Sequence, residues 1–176
     1  MIRLILGGDK SGKSDLALQI FQQGPAPRCL LATGRAQDFG LRDQILDHRR
    51  RRTPDIPVRE TGARLARELA DLAAEGVRSI LVDSLDFWLF TVAGADQEQT
   101  AVDAAVGELL DVLASLAGDD APVVTVVSCE AGLGPIPANA ATRAFVRGLG
   151  ALNQAVASHS REVRLVVAGL PLPLKG

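Results

Sequence analysis

The chain contains no tyrosine, one tryptophan and five phenylalanines among 176 residues. So thin an aromatic complement leaves few rings for stacking bases, which argues against a single-stranded nucleic-acid platform. Positive charge is not in surplus either. Nineteen Lys and Arg stand against 21 Asp and Glu, a formal net charge of −2, whereas a general nucleic-acid binder carries a basic balance. No nucleic-acid partner is expected. The two cysteines, Cys29 and Cys129, lie far apart in apolar strand-like runs, so buried free thiols in a reducing compartment are expected. No apolar run approaches the ~18 residues of a membrane-spanning helix. The first residues read as a strand and lack a signal peptide's apolar stretch and cleavage site, so the expected location is the cytoplasm. Internal repeats and low-complexity linkers are also missing. With 47% hydrophobic residues, residues 1–176 read as one domain with a core large enough to fold unaided.

What is present is an alternation of short apolar runs with helical periodicity. Strands are predicted over 2–6, 29–32, 79–83, 122–128 and 163–168, with a short edge element over 170–175. Helices are predicted over 13–23, from 41 to the arginines at 49–52, and over 63–74, 101–116 and 140–157, with 53–57 irregular. In the first helix Leu16, Ala17, Ile20 and Phe21 fall on one face. Strand and helix in turn predict an α/β fold, a mostly parallel sheet flanked by helices on both faces.

Between the first strand and helix stands Gly7-Gly8-Asp9-Lys10-Ser11-Gly12-Lys13-Ser14. It fits the phosphate loop of P-loop NTPases in the strand–loop–helix context the motif requires. Glycines let the chain turn tightly, so that backbone N–H groups and the helix N-terminus face phosphate oxygens. Lys13 is expected at the β- and γ-phosphates, and Ser14 on Mg²⁺. Asp83 closes an apolar strand. It can hold the same magnesium, or cap a helix that starts after it. Glu130 follows the next strand, where it can orient magnesium or water, or bind N–H groups of the following loop.

His48 and His159 are the two histidines. His159 sits in a polar helix end and reads as surface. His48 precedes Arg49, Arg50, Arg51 and Arg52. Four guanidiniums cannot all be buried, so most are solvated or face phosphate. A lone helical histidine is commonly a packed or surface residue. Beside so much positive charge, however, the neutral ring is favoured, and a neutral imidazole can attack phosphorus and carry a nucleotidyl group.

Taken together these blocks resemble the bifunctional adenosylcobinamide kinase / adenosylcobinamide-phosphate guanylyltransferase family of cobalamin biosynthesis. The likeness runs through the phosphate loop, Ala32-Thr33, His48-Arg49 with Arg52, Glu60, and Asp83-Ser84-Leu85 with Trp88. It continues through 130–137, Arg143, Phe145, Gly150, Asn153 and Gln154, and ends with 168–171 and Lys175. The resemblance implies a RecA-like sheet, a homotrimer, and two reactions. A nucleoside triphosphate, ATP or GTP, phosphorylates adenosylcobinamide. GMP then passes from GTP to a histidine and on to adenosylcobinamide phosphate. It assigns His48 and Lys13 as catalytic. It places Thr33, Arg49, Arg52, Glu60 and Asp83 with the phosphate loop at the nucleotide, and Ser14, Asp83 and Glu130 at Mg²⁺. The chain departs from the family pattern at Lys10, Gly40-Leu41, Gln44, Thr53, Ile56, Asp86, Thr91, Cys129 and Val146-Arg147. Asp86 brings a negative charge toward a site meant for polyphosphates. One extra residue precedes the histidine, so a one-residue slip puts Asp47 at its position. A nucleotide-binding homologue that lacks one or both activities, or a kinase with a changed acceptor, is the alternative.

Overall fold

The computed structural model describes residues 1–34, 56–94 and 98–176. The predicted helix from 41 and the positions of Gln44, Asp47, His48, Arg49, Arg52 and Thr53 lie outside these residues.

The strands are β1 (Ile2–Gly7), β2 (Arg28–Ala32), β3 (Val58–Glu60), β4 (Ser79–Asp83), β5 (Val123–Cys129), β6 (Glu162–Val167) and β7 (Leu170–Lys175). They form one sheet in the order β3-β2-β4-β5-β1-β6-β7. Every pairing is parallel except the β6–β7 hairpin. The helices are α1 (Lys13–Gln22), α2 (Leu65–Ala74), α3 (Leu85–Val92), α4 (Gln99–Ser115) and α5 (Ala140–His159), with a 3₁₀ turn at Ala131–Leu133.

Side chains alternate across a strand, and this alternation divides the core between two faces. Leu4, Leu6, Leu31, Ile80, Val82, Val124 and Val126 join α2, α3, α4 and α5 in the larger cluster. Ile5, Leu30, Leu81 and Val127 meet Ala17 and Phe21 of α1 on the other face. Near-continuous apolar strands are what a doubly covered parallel sheet needs. Helix α2 buries Leu65, Ala66, Leu69 and Leu72 along one stripe. Helix α5 starts where the Asn139 side chain accepts a hydrogen bond from Thr142 N–H at 3.1 Å, which satisfies one of its free amides. It ends where Lys175 Nζ donates to the carbonyls of Ala157 and Ser158, a cation against the negative helix end.

Most predicted boundaries shift by one or two residues, and two elements are new. The 63–74 helix starts at Leu65, and the 163–168 strand ends at Val167 because Ala168 takes a positive φ in the hairpin turn. Strand β3 and helix α3 did not figure in the sequence pattern. Cys29 is buried as expected, but Cys129 is only half-buried, since it closes β5 at the sheet edge. Both thiols are free. His159 is exposed. Among the described residues no helix is long and apolar enough to cross a membrane.

Candidate functional site

Parallel strands all point their carboxyl ends to one edge, and ligands of open α/β sheets bind in the crevice outside that edge. Here the edge collects Gly7, Ala32, Glu60, Asp83 and Cys129 as strand-terminal residues. Strand order then decides which of them approach one another. Strand β5 neighbours β1, β4 lies two places away, and β3 lies four. With about 4.8 Å between strands, Glu60 stands about 19 Å from the β1 terminus and Asp83 about 10 Å.

The loop between β1 and α1 is closely determined. A Cβ on Gly7 would stand 2.3 Å from Ser11 Oγ and 2.8 Å from the Val166 carbonyl oxygen, so only glycine fits there. Gly12 takes φ 91° at the N-cap of α1, a left-handed conformation that glycine adopts without a steric penalty. Lys10 also has a positive φ, 54°. The Ser11 N–H donates to the Gly8 carbonyl at 3.3 Å, and the Gly169 N–H in the β6–β7 turn donates to the Ser11 carbonyl at 2.8 Å. The loop is thus pinned to the hairpin. The Ser11 hydroxyl is turned inward, buried and without a hydrogen-bond partner. Gly8, Asp9 and Lys10 at the crown are exposed.

Two side chains of the motif make contacts at this loop. Lys13 Nζ donates to the Gly8 carbonyl at 3.0 Å, so its ammonium lies across the loop. Ser14 Oγ donates to Asp83 Oδ1 at 3.3 Å, which joins α1 to the end of β4. That contact favours the phosphate-loop side of the two readings of Asp83. The residue before α3 is Ser84, with no side-chain capping bond, and Asp83 faces the phosphate loop instead. Among the described residues no three His, Cys, Asp or Glu side chains gather as a metal cluster. A magnesium ion arriving with a nucleotide needs none, because phosphates and water supply most of its ligands. The hard oxygens of Ser14 and Asp83 fit that ion.

Glu130 follows β5, and its N–H donates to the Gly7 carbonyl at 3.0 Å. The glutamate is therefore tied to the first residue of the loop. Thr33 sits otherwise than expected. It is fully buried. Its hydroxyl donates to the Ser84 carbonyl at 2.6 Å and accepts from the Ser84 N–H at 2.8 Å. Its own N–H donates to the Asp83 carbonyl at 3.2 Å. Thr33 holds the Asp83–Ser84 backbone and does not itself face the nucleotide crevice. Glu60 shares the edge but stands apart from the loop.

The structure also gives Asp86 and Asn153 partners that the sequence did not assign them. Asp86 Oδ1, in the first turn of α3, accepts from the Cys129 N–H at 3.2 Å. Asn153 Nδ2, in α5, donates to the Cys129 carbonyl at 3.0 Å. The signal for Asn153 was available: it is an amide on the buried stripe Leu149, Leu152, Asn153 and Val156, and buried amides need partners. Asp86 is directed to the backbone of β5, so its departure from the family pattern is met by a specific bond. The Cys129 thiol is pushed up by burial, the Lys13 charge opposing and Asp86, Asp9 and Glu130 reinforcing. All four charged groups therefore act on this one strand end.

Residues 3–174 match the family described as cobinamide kinase / cobinamide phosphate guanyltransferase. The chain belongs to that family. It is 38% identical over 173 residues to the bifunctional adenosylcobalamin biosynthesis protein CobP of Pseudomonas aeruginosa, covering 98% of this chain and 96% of that protein. It is 30% identical over 185 residues to CobU of Salmonella typhimurium, which carries the same bifunctional description, covering 99% and 100%. Membership in the cobinamide kinase family makes the chain a nucleotide-handling enzyme of cobalamin biosynthesis. The fold also matches more distant solved structures. A type III secretion ATPase aligns with a TM-score of 0.57 at 12% identity, covering 98% of this chain and 56% of that one. A KaiC-like protein from Pyrococcus horikoshii aligns at 0.50 and 14%, covering 93% and 69%. The sheet is that of P-loop NTPases of the RecA-like kind.

Proposed function

We propose that this member of the cobinamide kinase family catalyses both reactions named in its family's description. It phosphorylates adenosylcobinamide with a nucleoside triphosphate, and it transfers GMP from GTP through a guanylyl-histidine to adenosylcobinamide phosphate. The observation that carries this reading is the pairing of Ser14 with Asp83 beside Lys13 on a loop whose Gly7 admits no side chain.

Phosphoryl transfer is mostly a matter of positioning and charge neutralisation. The loop amides and the α1 N-terminus bind the triphosphate oxygens, while Lys13 exchanges the Gly8 carbonyl for the β- and γ-phosphates. Ser14 and Asp83 hold Mg²⁺, with Glu130 orienting it or its water. The ion supplies Lewis-acid neutralisation of the transferring group. In the second reaction His48 attacks the α-phosphorus of GTP and pyrophosphate leaves. The cobinamide phosphate oxygen then displaces His48, and adenosyl-GDP-cobinamide results. Arg49 and Arg52 steady the phosphates as bidentate donors. These three residues come from the family resemblance, and Asp47 occupies the catalytic position if the register slips by one.

We further propose a homotrimer. Its support in this chain is an exposed apolar hairpin, with Val167 58%, Leu170 73%, Leu172 55% and Leu174 55% accessible. Contiguous apolar surface of this kind marks association sites.

The deciding experiment incubates purified protein with adenosylcobinamide, Mg²⁺ and either ATP or GTP, and identifies the corrinoid products by chromatography and mass. Adenosyl-GDP-cobinamide is expected with GTP, together with an acid-labile nucleotidyl adduct absent from His48→Ala. Cobinamide phosphate as the sole product would locate a loss in guanylyl transfer. Unchanged cobinamide, with folded protein that binds GTP, would overturn the reading.

A further inference from the structure

Strand β5 outruns its neighbour. The β4–β5 ladder ends at Val82↔Val126, because the chain leaves β4 at Asp83 and enters α3. Strand β5 continues for three more residues beside β1, as far as Gly7↔Cys129. In an extended residue the N–H and C=O point to the same side. At Cys129 that side has lost its strand partner, and two unpaired backbone groups in a half-buried place are costly.

Side chains from two helices replace the missing strand. Asp86 Oδ1 accepts the Cys129 N–H at 3.2 Å, and Asn153 Nδ2 donates to the Cys129 carbonyl at 3.0 Å. Asn153 is 4% exposed, and its Oδ1 accepts from Ser128 Oγ at 2.6 Å, which fixes the amide's orientation. The next residue is Glu130, whose own N–H bonds Gly7 on the opposite side. The strand end on which Glu130 is mounted is therefore held from α3, from α5 and from β1.

We propose that Asp86 and Asn153 are positioning residues that act together on the Cys129 backbone to aim Glu130 at the nucleotide-bound Mg²⁺. This rests on the reading of Glu130 as a group oriented toward that ion. Asp86 works as a hydrogen-bond acceptor and not as a charge. Its amide analogue, which keeps an oxygen at the same place, serves equally well.

The test measures the Mg²⁺ concentration for half-maximal GTP binding to the full chain by equilibrium dialysis, with no corrinoid present. Failure of the cobinamide assay would therefore not be mistaken for failure of this inference. Asp86→Ala and Asn153→Asp each remove one bond to Cys129. Each is expected to raise the required Mg²⁺ about five- to tenfold, the usual worth of one hydrogen bond. Asp86→Asn is expected to restore the wild-type requirement. Glu130→Gln is expected to raise it alone, and combining it with Asp86→Ala adds little, since the two act on one unit. Three results overturn the proposal. One is Asp86→Asn as impaired as Asp86→Ala, which assigns the effect to charge. Another is full additivity of Asp86→Ala with Glu130→Gln. The third is a wild-type Mg²⁺ requirement in folded Asn153→Asp. This last variant keeps side-chain volume and the Ser128 bond, so it decides the matter even if Asp86→Ala does not fold.

Discussion

Lys13 and Glu162 show two different ways in which a charged residue earns its place. Lys13 makes one partly exposed bond, to the Gly8 carbonyl, so its removal leaves the fold intact. Lys13→Ala is expected to lower triphosphate turnover about 100- to 1,000-fold, the usual effect of deleting one charge-stabilising donor, with an unchanged melting temperature. Turnover assays beside thermal melts check both halves. Glu162 works for the fold instead. Its carboxylate meets Arg3 Nε at 2.5 Å and also contacts Arg164. Burial alone would push its pKa up, but the two arginines prevail and hold it below the ordinary glutamate range. A depressed carboxylate stabilises the native state above its unfolded value, about 4.3, and that stability disappears as pH falls through the native value. Glu162→Gln is therefore expected to melt lower than wild type at pH 7. The gap should close as pH drops below about 4, and melts across the acid range would record it. At this scale the sequence was most legible where chemistry constrains spacing. Lys13, Ser14 and Asp83 were each readable, and Ser14 and Asp83 lie in hydrogen-bond contact. Thr33 was not readable in the same way, because a polar residue at a strand end can hold backbone as well as ligand. Asp86 was read as an added charge near phosphate, since the strand overrun that gives it a partner belongs to the tertiary structure.

Among the elements, β1, α1, β4, β5 and α5 follow directly from apolar runs and helical periodicity. Two elements escaped for opposite physical reasons. Strand β3 has three residues, Val58-Arg59-Glu60, two of them charged. Its extended form comes from pairing with β2 and from Arg59 bonding Glu75 at 2.5 Å. Helix α3 reads Leu85-Asp86-Phe87-Trp88-Leu89-Phe90-Thr91-Val92, apolar on nearly every side, so no stripe reveals its period. Trp88 anchors it. The ring is buried, and its Nε1–H donates to the Ala63 carbonyl at 3.1 Å. Trp88→Ala is expected to cost about 3–5 kcal/mol of unfolding free energy, as large core truncations do. Because Trp88 is the one tryptophan, circular dichroism must follow that variant in denaturant. The β6–β7 turn makes a second element-scale prediction. Gly169 has φ 79° and donates its N–H to Ser11. Gly169→Ala strains a left-handed position by about 1 kcal/mol and should weaken GTP affinity more than it lowers the melting temperature, as dialysis beside melting would reveal.

For the whole molecule, the sheet order gathers the loop, Asp83 and Glu130 while leaving Glu60 four strands away. No sequence pattern announces that order, because it depends on which crossovers pass over which face. The proposed assembly also belongs here. Leu172→Arg places a charge in the exposed apolar hairpin and should convert a trimer to single chains without unfolding them. Sedimentation equilibrium would read three chain masses for wild type and one for the variant, whereas an unchanged mass would move the contact elsewhere.

The hairpin that closes the sheet has one more property. Proline lacks an amide hydrogen, so within a sheet it belongs where no ladder bond is required. Strand β7 carries Pro171 and Pro173 on alternate positions, which gives its outer rim acceptors but no donors through the middle. A stray extended peptide, or the same rim of another copy, finds no donors there to complete a ladder. The protein can thus display leucines for a chosen neighbour and still stay out of fibrils, because greasy faces attract while the margin refuses to template.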